Sequence, residues 1–279
     1  MRLARYVALA SFTLLLFACS SNNERALKPE PLKPLDMRLR YAFFWSGSVG
    51  DGSGETGLRL RHVVDDQALY AVDYKGKIAV LDKVNGKQLW TLDLDIPVGA
   101  GPAVGNGMVV VGTLDGEVVA LDVRDGKRLW TSQVSSEILA SPLITNGKVF
   151  VRTGDGRLFA LAEATGNLSW IYDRTSPSLS IRGTSRPVAV KGYVIAGFDT
   201  GRLAVINADD GLPLWERIVG ISQGRSDVER MSDIDADPLV KDEVIFVSAY
   251  QDRILAIDLY SGRPEWEREL SSYITPAID

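Results

Sequence analysis

The chain of 279 residues contains a five-fold repeat in which a glycine precedes a tryptophan by four residues. The repeated tryptophans are Trp90, Trp130, Trp170, Trp215 and Trp266. Four of the five units read close to L-D-x-x-x-G-K-x-x-W, with Asn207 and Asp258 at the Asp place in later units. A period of about 40 residues built from short strands is typical of a β-propeller, a ring of small radial sheets. The sequence therefore predicts an all-β fold.

The second unit shows how one repeat divides into strands. Residues 102–104, 108–112, 117–121 and 128–130 form short, mostly apolar runs separated by Gly-containing turns. This pattern predicts a blade of four antiparallel strands joined by hairpins. A tryptophan at one fixed place in each blade is predicted to dock between neighbouring sheets rather than to stack on a ligand, because buried aromatic rings dominate such contacts.

The connectors between units carry the variation in repeat length. The opening proline of a unit lies 14 residues before its middle-turn position, as from Pro102 to Gly116, and the next turn glycine follows after 10 more. From each tryptophan to the next proline the separation is 12, 12, 17 and 23 residues. We refer to residues 171–186 as the first long connector and to residues 216–237 as the second long connector.

Both long connectors are predicted to project side by side from the face that carries the middle hairpin turns, which is where binding resides in many repeat proteins. The first contains Leu179, Ile181 and Arg182, and the second contains Asp233 and Asp235. An apolar pair beside a charged cluster suits a protein partner, with the aliphatic side chains as anchors. The alternative is that Leu179 and Ile181 fold back onto the scaffold.

The N-terminus predicts export. Arg2 and Arg5 precede an apolar stretch, residues 6–17, that is too short to cross a bilayer, so residues 1–18 form a predicted signal peptide. The sequence from Leu16 to Cys19 resembles a bacterial lipobox, which implies cleavage before Cys19 and its acylation. Ser20 follows, which by the lipoprotein sorting pattern implies the outer membrane. Cys19 is the single cysteine, so the chain has no internal disulfide.

Residues 19–36 are predicted to form the lipidated cysteine and a flexible, proline-bearing tether, and residues 37–279 the propeller. Only five complete units and one opening strand, residues 275–278, are present, which would leave sheet edges exposed. We therefore expect a C-terminally incomplete propeller that lacks two or three blades. The segment from Tyr41 to Ser46 is expected to complete the last blade of the intact ring.

Catalytic and cofactor motifs are mostly absent from the sequence. The single His62 excludes a two-histidine metal site. Residues 52–57 match G-x-G-x-x-G, but a strand rather than a helix is predicted to follow, so no dinucleotide site is expected. Residues 233–244 have Pro238 and Val244 where an EF-hand needs glycine and glutamate, which leaves open only a weak cation site of another kind. The net charge of −5 argues against nucleic acid as a partner.

The lipobox, the tether and the blade repeat together resemble the BamB family, propeller lipoproteins of the outer-membrane β-barrel assembly machinery, over essentially the whole chain. The resemblance implies an eight-bladed ring in the intact protein, consistent with the usual range of blade numbers. It also implies a non-catalytic scaffold that binds the periplasmic domains of BamA and, through it, the rest of the complex. Unfolded barrel precursors are a second candidate partner.

Two segments carry the specific part of this resemblance, residues 177–183 and 230–235. They look like the family segments that bind BamA, which implies a role for Leu179, Ile181, Arg182, Asp233 and Asp235. Ile181 stands where the family often has leucine, and this exchange keeps the apolar character. The blade repeat also resembles propellers that bind pyrroloquinoline quinone, so a quinoprotein dehydrogenase and a periplasmic glycan-binding propeller are the competing hypotheses.

Overall fold

The computed structural model describes residues 42–173, 185–199, 201–220, 233–249 and 253–269, together with residues 272, 275 and 277. All of them belong to the unit Asp36–Asp279. Their regular structure consists of twenty β-strands without a helix. A helix able to span a membrane is accordingly not found among these residues.

Consecutive strands form five four-stranded antiparallel sheets, here called blades 1 to 5 in chain order. Blade 1 contains β1 (Val63–Val64), β2 (Ala68–Val72), β3 (Lys77–Asp82) and β4 (Gln88–Asp93). Blade 2 contains β5 (Val98–Gly105), β6 (Met108–Thr113), β7 (Glu117–Asp122) and β8 (Arg128–Gln133). Blade 3 contains β9 (Leu143–Thr145), β10 (Lys148–Arg152), β11 (Arg157–Ala162) and β12 (Leu168–Asp173). Blade 4 contains β13 (Val188–Val190), β14 (Tyr193–Gly197), β15 (Arg202–Asn207) and β16 (Pro213–Ile218). Blade 5 contains β17 (Leu239–Lys241), β18 (Val244–Ser248), β19 (Arg253–Asp258) and β20 (Pro264–Glu269).

Blade 2 confirms the strand prediction made from its turns. Its strands overlap all four predicted runs, and β5 begins four residues earlier than predicted, at Val98. Asn106 and Gly107 between β5 and β6 both have positive φ, at 49° and 80°. Two consecutive residues of positive φ are what a tight type I′ hairpin requires, and asparagine and glycine adopt them at little cost.

The register between the third and fourth strands repeats in every blade. The tryptophan of the fourth strand lies opposite the third-strand residue that precedes a register shift, as in Val80↔Trp90 and Ala120↔Trp130. The other three blades show the same shift at the same place. Because a bulge fixes which way the following side chains point, the tryptophan is placed alike in all five blades. The predicted propeller of four-stranded blades is confirmed.

The apolar core lies between neighbouring blades. Val109 and Val111 of β6 pack with blade 1, whereas Met108 and Val110 of the same strand pack with blade 3. The middle strands are therefore buried on both faces, which explains why they read as continuous apolar runs without alternation. The first strands of blades 1 to 4 contact one another along the chain order, so they form the inner side of the arc.

The connectors lie beside the middle turns of their blades. The backbone N–H of Leu94 donates to the carbonyl of Gly76 at 3.1 Å, and that of Val134 donates to Gly116 at 2.9 Å. In blade 4, the N–H of Val219 donates to Gly201 at 2.8 Å. The prediction that connectors and middle turns share one face is confirmed for the described starts of these three connectors.

Candidate functional site

The tryptophans join consecutive blades by a hydrogen bond as well as by their rings. In blades 1 to 4 the indole Nε1–H donates to a backbone carbonyl of the next blade at 2.7–3.2 Å. The pairs are Trp90 with Val123, Trp130 with Glu163, Trp170 with Ala208 and Trp215 with Leu259. A buried indole needs such an acceptor, so the bond fixes the orientation of the ring.

The turn glycines of the repeat are the surfaces on which these rings lie. Gly126 and Gly211 have φ of 73° and 77°, a conformation that side chains disfavour. A Cβ atom on Gly126 would lie 2.9 Å from the Trp90 ring, and one on Gly211 would lie 2.6 Å from the Trp170 ring. Glycine is thus required at this position for two reasons. It adopts the positive φ of the turn, and it leaves space for the tryptophan ring of the preceding blade.

Trp45 makes the same contact with blade 1, a role that the repeat pattern missed. Its Nε1–H donates to the carbonyl of Lys83 at 3.0 Å, and a Cβ on Gly86 would lie 2.6 Å from its ring. The pattern missed it because Tyr41, rather than glycine, stands four residues earlier. Residues 42–49 have no strand assignment. Trp45 therefore occupies, from the N-terminal side, the place that a preceding blade's tryptophan would take.

Trp266 differs from the other four repeat tryptophans. It is 42% exposed, with the Phe246 ring 6.0 Å away and the Arg268 guanidinium 5.9 Å from its centroid. All six residues of β20 are exposed. The expected docking between two sheets is thus seen for four repeat tryptophans in the described part of the chain.

The described ends of the two long connectors contact each other. The hydroxyl of Ser185 donates to the carbonyl of Ala236 at 2.9 Å, and the backbone N–H of Arg186 donates to Asp237 Oδ1 at 2.8 Å. The connectors are separated by a whole blade in sequence, yet their C-terminal ends are neighbours. This places the described ends of both connectors together on one side of the arc.

Asp233 and Asp235 of the second long connector, which the sequence indicates as partner-binding residues, are buried in the structure. Asp233 is 1% exposed and Asp235 is 6% exposed, and Ile234 between them is fully buried. The cause is Gly197 in blade 4, where an added Cβ would lie 2.4 Å from the Ile234 side chain. This close approach holds the connector against the blade and takes both aspartates out of water.

Several predicted site residues lie outside the described residues. They are Cys19, Leu179, Ile181 and Arg182. Their predicted roles stay predictions.

A buried ion pair links blades 3 and 4 next to the first long connector. Arg152 Nη2 donates to Asp199 Oδ1, and both side chains are 2% exposed. The guanidinium also lies 5.7 Å from the centroid of the Phe198 ring. Gly112 and Gly197 occupy the place of Arg152 in blades 2 and 4, four residues before the middle-turn glycine. The charge is therefore peculiar to blade 3 among these three, and the repeat pattern gave no signal for it.

Chemistry-bearing groups do not converge in the described part of the chain. No group of three or more His, Cys, Asp or Glu side chains there could hold a metal ion. A cavity of about 290 Å³ against blade 1 is lined mainly by apolar residues, including Trp45, Leu60 and Leu69, and also by Arg61 and His62. It contains no acid–base pair. The weak cation site left open for residues 233–237 thus finds no support in the geometry.

Comparison with known proteins supplies the family. A family model described as outer membrane protein assembly factor BamB matches residues 46–279. The chain belongs to the BamB family. The BamB of Pseudomonas aeruginosa is 49% identical over 270 residues, which cover 97% of this chain and 71% of that protein. The Escherichia coli BamB is 34% identical over 270 residues, covering 92% of this chain and 69% of its own length. This BamB-family chain thus spans about seven tenths of these relatives.

Solved structures agree with the BamB assignment. The crystal structure of BamB from Moraxella catarrhalis matches with a TM-score of 0.73 and 28% identity, covering 77% of this chain and 66% of that one. A quinohemoprotein alcohol dehydrogenase from Pseudomonas putida matches with a TM-score of 0.58 at 18% identity, covering 77% of this chain and 42% of that one. The second likeness shows the shared propeller fold alone. The BamB-family chain is an outer membrane protein assembly factor, and the likeness to the quinohemoprotein dehydrogenase is distant.

Proposed function

We propose that this chain is a non-catalytic scaffold of the outer-membrane assembly complex that binds the periplasmic domains of BamA through its two long connectors. Through BamA it would join the rest of the complex and support folding and insertion of β-barrel proteins. The observation that carries the proposal is the pair of hydrogen bonds from Ser185 and Arg186 to residues 236 and 237. They bring the two longest connectors of an otherwise regular repeat to one place.

The propeller suits a scaffold because its blades are fixed to each other by repeated contacts. Loops on a rigid frame lose little further freedom on binding, which favours affinity. Leu179 and Ile181 would supply apolar anchors and Arg182 a charged contact. Asp233 and Asp235 lie beneath the surface, so their role would be to shape the second long connector from below.

The N-terminal segment supports a location at the outer membrane facing the periplasm. Acylation of Cys19 with more than one chain would give stable anchoring, since a single acyl chain binds a bilayer only marginally. The tether, residues 20–36, would let the propeller stand away from the lipid surface.

A non-catalytic role is supported by the residues that face the described surface and cavity. Among the residues that line the cavity, His62 has no carboxylate and no second histidine beside it, whereas general acid–base catalysis needs paired groups within hydrogen-bond reach. To test this, pyrroloquinoline quinone and calcium would be added to the purified protein and dye reduction followed. We expect none, and sustained turnover would overturn the scaffold proposal in favour of a quinoprotein.

The partner proposal is tested with Arg182→Ala. Co-purification of BamA from solubilised outer membranes should fall on the order of tenfold or more, as for a contact at the centre of an interface. Arg124→Ala is the matched control, because Arg124 is an exposed arginine that pairs with Asp122 in a turn of blade 2. Both variants should keep the wild-type far-ultraviolet circular dichroism. Undiminished co-purification with Arg182→Ala would place the BamA contact elsewhere.

A further inference from the structure

One aspartate, Asp237, joins four separate parts of the chain. Its Oδ1 accepts from the backbone N–H of Arg186 at 2.8 Å, and its Oδ2 accepts from Arg61 Nη1 at 2.5 Å. Its own backbone N–H donates to Thr275 Oγ1 at 3.0 Å. Both carboxylate oxygens are therefore occupied by donors from other segments.

Three of these segments are the C-terminal ends of the two long connectors and the residues that lead into blade 1. Arg186 is the last residue of the first long connector, and Asp237 is the last residue of the second. Arg61 lies two residues before β1, 176 residues away from Asp237 in sequence. The carboxylate thus sits where the residues that lead into blades 1, 4 and 5 meet.

The residue that directly precedes the opening proline of a blade is charged after a long connector and uncharged after a short one. The two short connectors end in Gly101 and Ser141, whereas the two long ones end in Arg186 and Asp237. A charged residue is found at this place only where the connector has grown. This pattern is independent of the hydrogen bonds and points to the same junction.

The two side chains of the Arg61–Asp237 ion pair differ in their exposure to solvent. The side chain of Asp237 is 6% exposed, whereas that of Arg61 is 47% exposed. A largely buried carboxylate is poorly screened by salt, so it holds its partners more firmly than an exposed ion pair would. About half of the Arg61 side chain is thus open to solvent next to the place where the connectors end.

We propose that Asp237 and Arg61 form a positioning pair that fixes the two long connectors relative to each other, and that Arg61 thereby belongs to the partner-binding face. The second half of this proposal rests on the proposed function. Arg61 lies outside both connectors and outside the segments that the family resemblance singles out. It acts by holding Asp237, which in turn holds the backbone of Arg186.

Hydrogen exchange in the full chain without a partner tests the positioning role. Exchange of the backbone amides of Arg186 and Asp237 should become on the order of tenfold faster in Arg61→Gln and in Asp237→Asn, because the charge-assisted contact at the junction is lost. Arg61→Lys keeps the charge and should restore slow exchange. Arg124→Gln, which breaks an exposed Arg–Asp pair in a turn of blade 2, should leave the junction unchanged. Unchanged exchange in Arg61→Gln would overturn the positioning role, whether or not Asp237→Asn folds.

Co-purification with BamA tests the partner-face role separately. Binding should fall in Arg61→Gln and recover in Arg61→Lys, while Arg124→Gln binds as the wild type does. Wild-type binding by Arg61→Gln, together with faster exchange, would exclude Arg61 from the partner-binding face. If the wild-type chain itself fails to bind BamA, the proposed function is wrong, and the exchange measurement still decides whether the pair positions the connectors.

Discussion

The outer contacts between blades and the contacts at the connectors are built differently. On the outer side, one tryptophan, one glycine turn and one indole hydrogen bond recur from blade to blade. At the connectors, blade 3 has a buried arginine where blades 2 and 4 have glycine, and Asp237 gathers donors from distant segments. Repetition sets the geometry of the arc. The unique polar contacts distinguish one blade from another, which identical interfaces alone could not do.

The largest expected effect separates a docked tryptophan from an undocked one. Trp130→Ala removes a nearly buried ring and leaves the carbonyl of Glu163 without its donor, so the free energy of unfolding should fall by about 3–5 kcal/mol. Trp266→Ala, at the half-exposed ring of blade 5, should cost about 0.5 kcal/mol. Urea denaturation of both variants measures the difference. Equal losses would mean that docking on the next blade is not what stabilises the arc.

The next effect probes the unique contact between blades 3 and 4. Asp199→Ala leaves Arg152 buried and without its carboxylate, and should lower the free energy of unfolding by about 3 kcal/mol. Adding Arg152→Met replaces the buried guanidinium, which has lost its carboxylate, by an apolar side chain. The double variant should recover most of the lost free energy of unfolding. Denaturation of the single and double variants tests this. A double variant as unstable as the single one would show that the charge balance is not the cause.

The smallest effect separates the ring contact from the backbone conformation of glycine. Gly211→Ala places a methyl group against the Trp170 ring at a φ of 77° and should cost about 2 kcal/mol. Gly192→Ala meets no atom within 4 Å at a φ of 81°, so it should cost about 1 kcal/mol, from the backbone alone. The comparison is read from thermal melting. If both variants melt alike, the glycine is needed for its turn and not for the ring.

The strands and turns of the repeat could be predicted because each rests on local chemistry. Asn106 and Gly107 adopt positive φ cheaply, and the run from Met108 to Gly112 has no polar side chain, so a hairpin and a doubly buried strand follow. The docking of Trp90 also followed from its recurrence. Trp45 was missed although it makes the same contact, because Tyr41 rather than glycine stands four residues before it.

The second long connector begins where its spacing predicted, but the burial of two of its aspartates was not predicted. The hydrogen bond from Val219 to Gly201 places the start of the second long connector beside the middle turn of blade 4, as predicted. The burial of Asp233 and Asp235 could not be read from the sequence, because it depends on Gly197 of a neighbouring strand leaving room for Ile234.

The sequence by itself determined the propeller, its blade boundaries and the presence of two enlarged connectors, since these depend on turn residues, apolar runs and spacing along the chain. Tertiary structure decided which charges meet. Arg61 and Asp237, like Arg152 and Asp199, become partners only when blades pack side by side. The reason is physical: burial and ion pairing depend on distances through space, which a repeat of near-identical units does not encode in the order of its residues.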